Sequence, residues 1–177
     1  MKSANAMLLA LGMTLAGGVG AEEPMKPSVV GGLMMSAENK EFFPAAASAG
    51  MLEVDASKLA LERSQNPAVK TFAEKMVSDH TAAAAELKEL ATKKNMTLPT
   101  ALMDRHQEML DELKDEETPK EFDEAYKRVM VVSHKEAVTL FGKVAKDSKD
   151  PEVKAWAAKT LPKLEAHGGM AKDLPST

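Results

Sequence analysis

The stretch FAEKMVSDHTAAAAELKEL, Phe72 to Leu90, decides the fold. Counting from just before it, Val69, Ala73, Met76, His80, Ala83, Leu87 and Leu90 recur at alternating intervals of four and three. That is the inward stripe of an amphipathic helix, unbroken over six turns. His80 stands in its middle, where the pattern asks for an apolar side chain. A histidine there is either a core residue whose nitrogens are satisfied by neighbours or a ligand.

Three more long stretches carry the same period. The segment before it reads as a helix from about Glu38 or Pro44 to Gln65. The stretch itself opens at NPAVK, with Asn66 as cap and Pro67 at the first helical position, and runs to about Lys94. A third helix starts at TPKEFDEAY, where Thr118 and Glu121 have capping-box spacing, and ends near Lys149. The fourth opens at DPEVK, with Asp150 as cap, and runs to about His167 or Gly168; Pro162 inside it predicts a kink. Between the second and third lies a short helix, Thr100 to Leu113. No strand pattern appears. The expected fold is all-α, a four-helix bundle with a short extra helix in the connection between helices two and three. NPAVKTFAEK (66–75) also matches DPEVKAWAAK (150–159), so helices two and four begin alike.

Composition agrees. Aromatic residues make up only 4% of the 177-residue chain, so the core must be built from Ala, Leu, Val and Met, which favour helices. The net charge of -4, with no basic patch, argues against a nucleic-acid partner. Lys2 followed by AMLLALGMTLA and then VGA reads as a signal peptide, residues 1–21, cut after Ala21. Residues 22–37, with two Pro and two Gly, read as a flexible leader, and 38–174 as the bundle domain. The implied location is the periplasm or the exterior, with no transmembrane helix in the mature chain. Cysteine is absent, which removes disulfides and thiolate ligands. Met34 and Met35 in the leader are read as a mildly apolar tail.

The other long helices also aim a metal-capable group inward. His134 lies on a stripe of Met130, Ala137, Phe141 and Val144; His167 on one of Val153, Ala157, Thr160 and Leu164; Glu53 on one of Ala46, Gly50, Ser57 and Ala60. Counted from the hairpin turns at Asn66 and Asp150, Glu53 is level with His80 and His134 with His167. At about 1.5 Å per residue both pairs fall near mid-bundle. Glu53, His80, His134 and His167 therefore form the candidate metal site, with a donor set suited to a transition metal ion: Zn, Cu or Fe. The alternative is a buried polar network. His106 and Tyr126 are read as packing residues, and Asp79 as a surface group turned away from its neighbour His80.

Glu53-Val54, Met76-Val77 with Asp79-His80, Phe122-Asp123 with Tyr126, His134, and Leu161-Pro162 with His167 together resemble the domain of unknown function 4142 family, over about Phe42 to Leu174. The resemblance implies a ferritin-like four-helix bundle on an exported bacterial protein, with outer-membrane association in some members. It implies no activity. Di-iron bundles of that architecture use Glu-x-x-His pairs. Here Val77, Val131 and Leu164 stand three residues before the histidines, which speaks against a carboxylate-bridged di-iron centre. Three functional readings follow. One is a metal-binding bundle. Another is a non-catalytic envelope or stress-associated protein, docking an envelope partner or forming a homo-oligomer. The third is a hydrolase or redox enzyme using a metal-bound water with Glu53 as base, for which no nucleophile motif, Gly-rich phosphate loop or cofactor fingerprint is found.

Overall fold

The computed structural model describes residues 37–176; the expected signal peptide and all of the expected leader but Ala37, which begins the first helix, lie outside them. Five helices account for nearly all of this span: α1 (Ala37–Arg63), α2 (Pro67–Lys93), α3 (Asp104–Asp115), α4 (Pro119–Asp147) and α5 (Pro151–Asp173). No strand occurs among the described residues. None of the described helices is long and apolar enough to cross a membrane.

The starts of α2, α4 and α5 follow from local chemistry. Asn66 accepts a hydrogen bond from the amide of Ala68, and Asp150 from the amides of Glu152 and Val153. Thr118 and Glu121 close a full capping box. Each cap is followed by proline at the first helical turn, where its missing N–H costs nothing.

Two boundaries depart from the sequence reading. The short helix begins at Asp104 rather than Thr100. The amide of Met103 is taken by the hydroxyl of Ser48 on α1, which pins the preceding segment outside the helix. At the other end, α5 continues past Gly168 and Gly169 to Asp173. Ala171 and Leu174 are buried in the core there, and that burial outweighs the weak helix propensity of glycine. α5 also continues through Pro162, whose ring is exposed to solvent.

Each long helix packs on two others, in the cyclic order α1, α2, α5, α4. Cross-contacts give the directions. Phe42 meets Phe141 while Ser57 meets Tyr126, so α1 and α4 are antiparallel. Lys94 meets Glu152 while Asp79 meets His167, so α2 and α5 are antiparallel too. The two hairpin turns therefore lie at opposite ends, and the connection carrying α3 crosses the length of the bundle over α1 and α4. Arg63 fastens the crossover: it stacks on the Phe122 ring at 4.6 Å and donates to the carbonyls of Lys114 and Glu116 at the end of α3.

The core has two apolar clusters. One holds Leu52, Met76, Leu113, Phe122, Tyr126 and Met130; the other holds Phe42, Phe43, Leu87, Phe141, Val153 and Leu164. Between them lies a layer of buried polar residues.

Pro162 leaves the carbonyl of Ala158 without its helical donor. With its ring in solvent, Pro162→Ala is expected to stabilise the protein by about 1–3 kcal/mol, read from urea denaturation. A loss of stability would show that the proline is built into the packing of α5.

Candidate metal centre

The polar layer consists of Glu53 from α1, His80 from α2, Ser133 and His134 from α4, and His167 from α5, each no more than 5% exposed. The four residues singled out from the sequence do come together at mid-bundle. The three imidazoles enclose a common point, with ring centroids 5.2–5.6 Å apart. One ring nitrogen from each lies within 4.8 Å of the other two.

The outer nitrogen of each ring is tied to an oxygen. His80 Nδ1 donates to Glu53 Oε2 at 2.9 Å. His134 Nδ1 donates to the carbonyl of Met130, one turn earlier in its own helix, at 2.8 Å. His167 Nε2 donates to Asp79 Oδ2 at 2.9 Å. Carboxylate and carbonyl oxygens only accept, so these contacts fix the proton on the outer nitrogen and leave a lone pair on the inner one. The inner nitrogens are His80 Nε2, His134 Nε2 and His167 Nδ1. All three are buried without a hydrogen-bond partner. Buried polar atoms are seldom left so, and three of them on imidazole rings packed together offer a donor set for a cation. A metal at about 2.0–2.1 Å from each would need the nitrogens roughly 3.3–3.6 Å apart.

Glu53 does not stand with the three inner nitrogens. One carboxylate oxygen is engaged by His80; the other accepts from Ser133 Oγ at 2.6 Å and lies 3.6 Å from His134 Nδ1. Both of its oxygens are thus engaged by partners on α2 and α4. Asp79 corrects the sequence reading more sharply. It does not turn away from the site but reaches across the seam between α2 and α5 to His167, while Lys75 and Lys163 pair with it at the surface. Ser133 was also missed. The available signal for both was adjacency, since each immediately precedes a site histidine. His106 lies outside the cluster, its Nδ1 accepting from Ser48 Oγ at 2.7 Å, and it holds the crossover against α1. Tyr126 is a core residue whose hydroxyl meets Ser57 at 2.8 Å.

Electrostatics divide the cluster. Burial by itself would raise the carboxyl of Glu53, but the charge and hydrogen bond of His80, with help from His134 and Ser133, hold it at about 2. Burial alone would lower His80, yet Glu53 overcomes it and the net shift is upward. His134 is lowered by burial against the pull of Glu53. His167 falls to about 4, chiefly through burial, with the charges of His80 and His134 adding to it and Asp79 opposing. Within the cluster, then, the balance favours a proton on His80 and disfavours one on His134 or His167.

A family model described as Domain of unknown function (DUF4142) matches residues 24–174. The chain belongs to this family. No match is found among the curated proteins. Among solved structures, the DUF4142 chain is similar to CopM in the Cu(I)-bound form, at 20% identity and a TM-score of 0.63, over 76% of this chain and 92% of that one. It is similar to a DUF305 fragment from Deinococcus radiodurans, at 14% identity and a TM-score of 0.67, over 78% and 95%. It also resembles a conserved hypothetical protein, rv2844, from Mycobacterium tuberculosis, at 11% identity and a TM-score of 0.62, over 80% and 99%. At these identities the likeness is one of fold, and it agrees with the all-α bundle.

The shifts fix the sign of a pH effect. His134 and His167 have folded values below the ordinary 6.5, so the unfolded chain binds their protons more readily. The stability they contribute is present above about 6.5 and is lost as pH falls towards 4. Glu53 adds the same trend between 4.5 and about 2. His80 acts oppositely, its contribution fading as pH rises through its raised value. Metal-stripped protein should therefore melt at progressively lower temperature from pH 6.5 to 4, and His167→Gln should flatten that part of the profile. An unchanged slope in the variant would remove His167 as the cause.

Proposed function

We propose that this protein is an exported metal-binding bundle that holds one transition-metal ion, copper before zinc or iron, through His80 Nε2, His134 Nε2 and His167 Nδ1. The observation that carries the reading is the convergence of three buried, unpartnered imidazole nitrogens, each with its opposite nitrogen held by an oxygen. Outer tethers of this kind orient metal-binding histidines and raise their basicity. Glu53, the carbonyl of Met130, and Asp79 take that outer role; Glu53, expected from the sequence as a fourth ligand, becomes a positioning residue. A purely structural polar network is favoured less, because it leaves the three inner nitrogens unsatisfied in an apolar core.

Three imidazoles without thiolate or inner carboxylate bind copper and zinc alike, and copper heads the usual affinity order. The similarity to CopM, whose structures include Cu(I)-bound and Cu(II)-bound forms, supports copper as the first ion to test. The amino-terminal signal pattern supports export, and with it a periplasmic or secreted protein that sequesters or carries the ion. When bound, the metal supplies a positive charge at the centre of the layer. The chain's own residues hold the imidazole tautomers, exclude water with the two flanking apolar clusters, and counter the charge with Glu53 and Asp79.

Protein prepared without a histidine tag should bind one Cu per chain by elemental analysis, and His134→Ala should abolish it. Free metal at a hundred times its Kd should stabilise the wild type by about 2.7 kcal/mol, a gain absent in the variant. Glu53→Gln and Asp79→Asn should keep the stoichiometry and weaken affinity by about 10–100-fold. Tight binding unaltered by His134→Ala would remove the three-histidine centre.

A further inference from the structure

A cavity of 50 Å³ lies beside the histidine layer. Its wall runs from exposed Ala84 and Lys163, at the seam between α2 and α5, inward to buried Glu53, His80 and His167. We propose that it is an access chamber that admits small, weakly hydrated molecules of two or three heavy atoms to the metal. The proposal rests on the three-histidine metal reading and adds to it a class of exogenous ligand.

Size sets the first limit. One water needs about 10–15 Å³ of such space, whereas pockets for metabolites run to about 300–1,000 Å³. A cavity of 50 Å³ takes a few small molecules and no sugar, nucleotide or amino acid. Chemistry sets the second limit. Most of the wall is apolar, with Ala46, Ala83, Leu87, Phe141, Trp156 and Leu164 among it. With His80 Nε2 and His167 Nδ1 taken by the metal, the remaining polar groups among its lining are already engaged. Glu53 is held by His80 and Ser133, Asp79 by His167 and Lys75, and Lys163 lies 3.5 Å from Asp79. Thr160 donates to the carbonyl of Trp156. A hydrogen-bonding guest would find little to replace its water, while a diatomic such as carbon monoxide would lose almost nothing on entry.

Gly50 is the independent observation. It lies within α1, one turn before Glu53, where glycine weakens a helix. A Cβ at Gly50 would meet no atom within 4 Å, so neither a close helix approach nor a turn accounts for it. Gly50 lines the cavity, and a larger side chain there would project into open space beside the chamber.

Carbon monoxide on Cu(I)-loaded protein tests the proposal by infrared spectroscopy. The wild type should show one bound C–O stretching band, saturating at one molecule per copper. Gly50→Leu should lose the band, and Ala84→Leu, at the exposed mouth, should slow its appearance at least tenfold; both should keep one Cu per chain. If the wild type binds copper but shows no band, the chamber is overturned and the metal site stands. Uptake in copper-loaded Ala84→Leu as fast as in the wild type overturns this route even if Gly50→Leu fails to fold. If the wild type holds no copper, the metal reading fails and the chamber falls with it.

Discussion

A carboxylate 1% exposed at the centre of a small bundle has to be compensated, and the 2.9 Å contact between Glu53 and His80 is where that happens. Burying an ionised group costs several kcal/mol, recovered only by close and well-directed partners. Glu53 obtains them from two sides, His80 on α2 and Ser133 on α4. Sliding either helix by one residue along α1 would strand the charge. The polar layer therefore fixes helix register, a task that the two flanking clusters of largely interchangeable apolar residues could not perform as strictly.

The three imidazoles are not equivalent, because their tethers differ. His80 leans on a fully buried carboxylate, His134 on a neutral backbone carbonyl, and His167 on a carboxylate that reaches solvent and shares two lysines. The directions of their shifts follow this order of support, with His80 raised and the other two lowered. His80 is the imidazole of the three that the balance of burial and charge favours in its protonated form. His167 is the one whose tether is open to change from outside.

How far the sequence could be read depended on distance along the chain. The caps at Asn66, Thr118 and Asp150 are local hydrogen bonds, and each appears where its residue type placed it. The inward positions of Glu53, His80, His134 and His167 follow from helical period, also a local property. Asp79 was misread because the residue beside an inward histidine faces either solvent or the next helix. Only the neighbour relation of α2 to α5 decides between them. Glu53 lies on the inward face that its period gives, but periodicity does not say which nitrogen of a facing imidazole it engages or that Ser133 would share it. The early start expected for α3 and the early stop expected for α5 failed for the same reason: Ser48, Ala171 and Leu174 act through contacts made across the bundle.

The likeness of NPAVKTFAEK to DPEVKAWAAK makes the two hairpins look like copies, and at their turns they are similar. At the centre they are not. His80 presents Nε2 inward, whereas His167 presents Nδ1, the nitrogen nearer its own backbone. An imidazole used by its near nitrogen requires a helix that stands closer to the middle. α5 does come close to α4 where Gly168 faces His134: a Cβ at that glycine would lie 3.3 Å from the histidine Cβ. The first hairpin supplies one imidazole and the buried carboxylate; the second supplies two imidazoles and the hydroxyl. Two copies of either hairpin could not rebuild the cluster, so its assembly depends on the two halves being different.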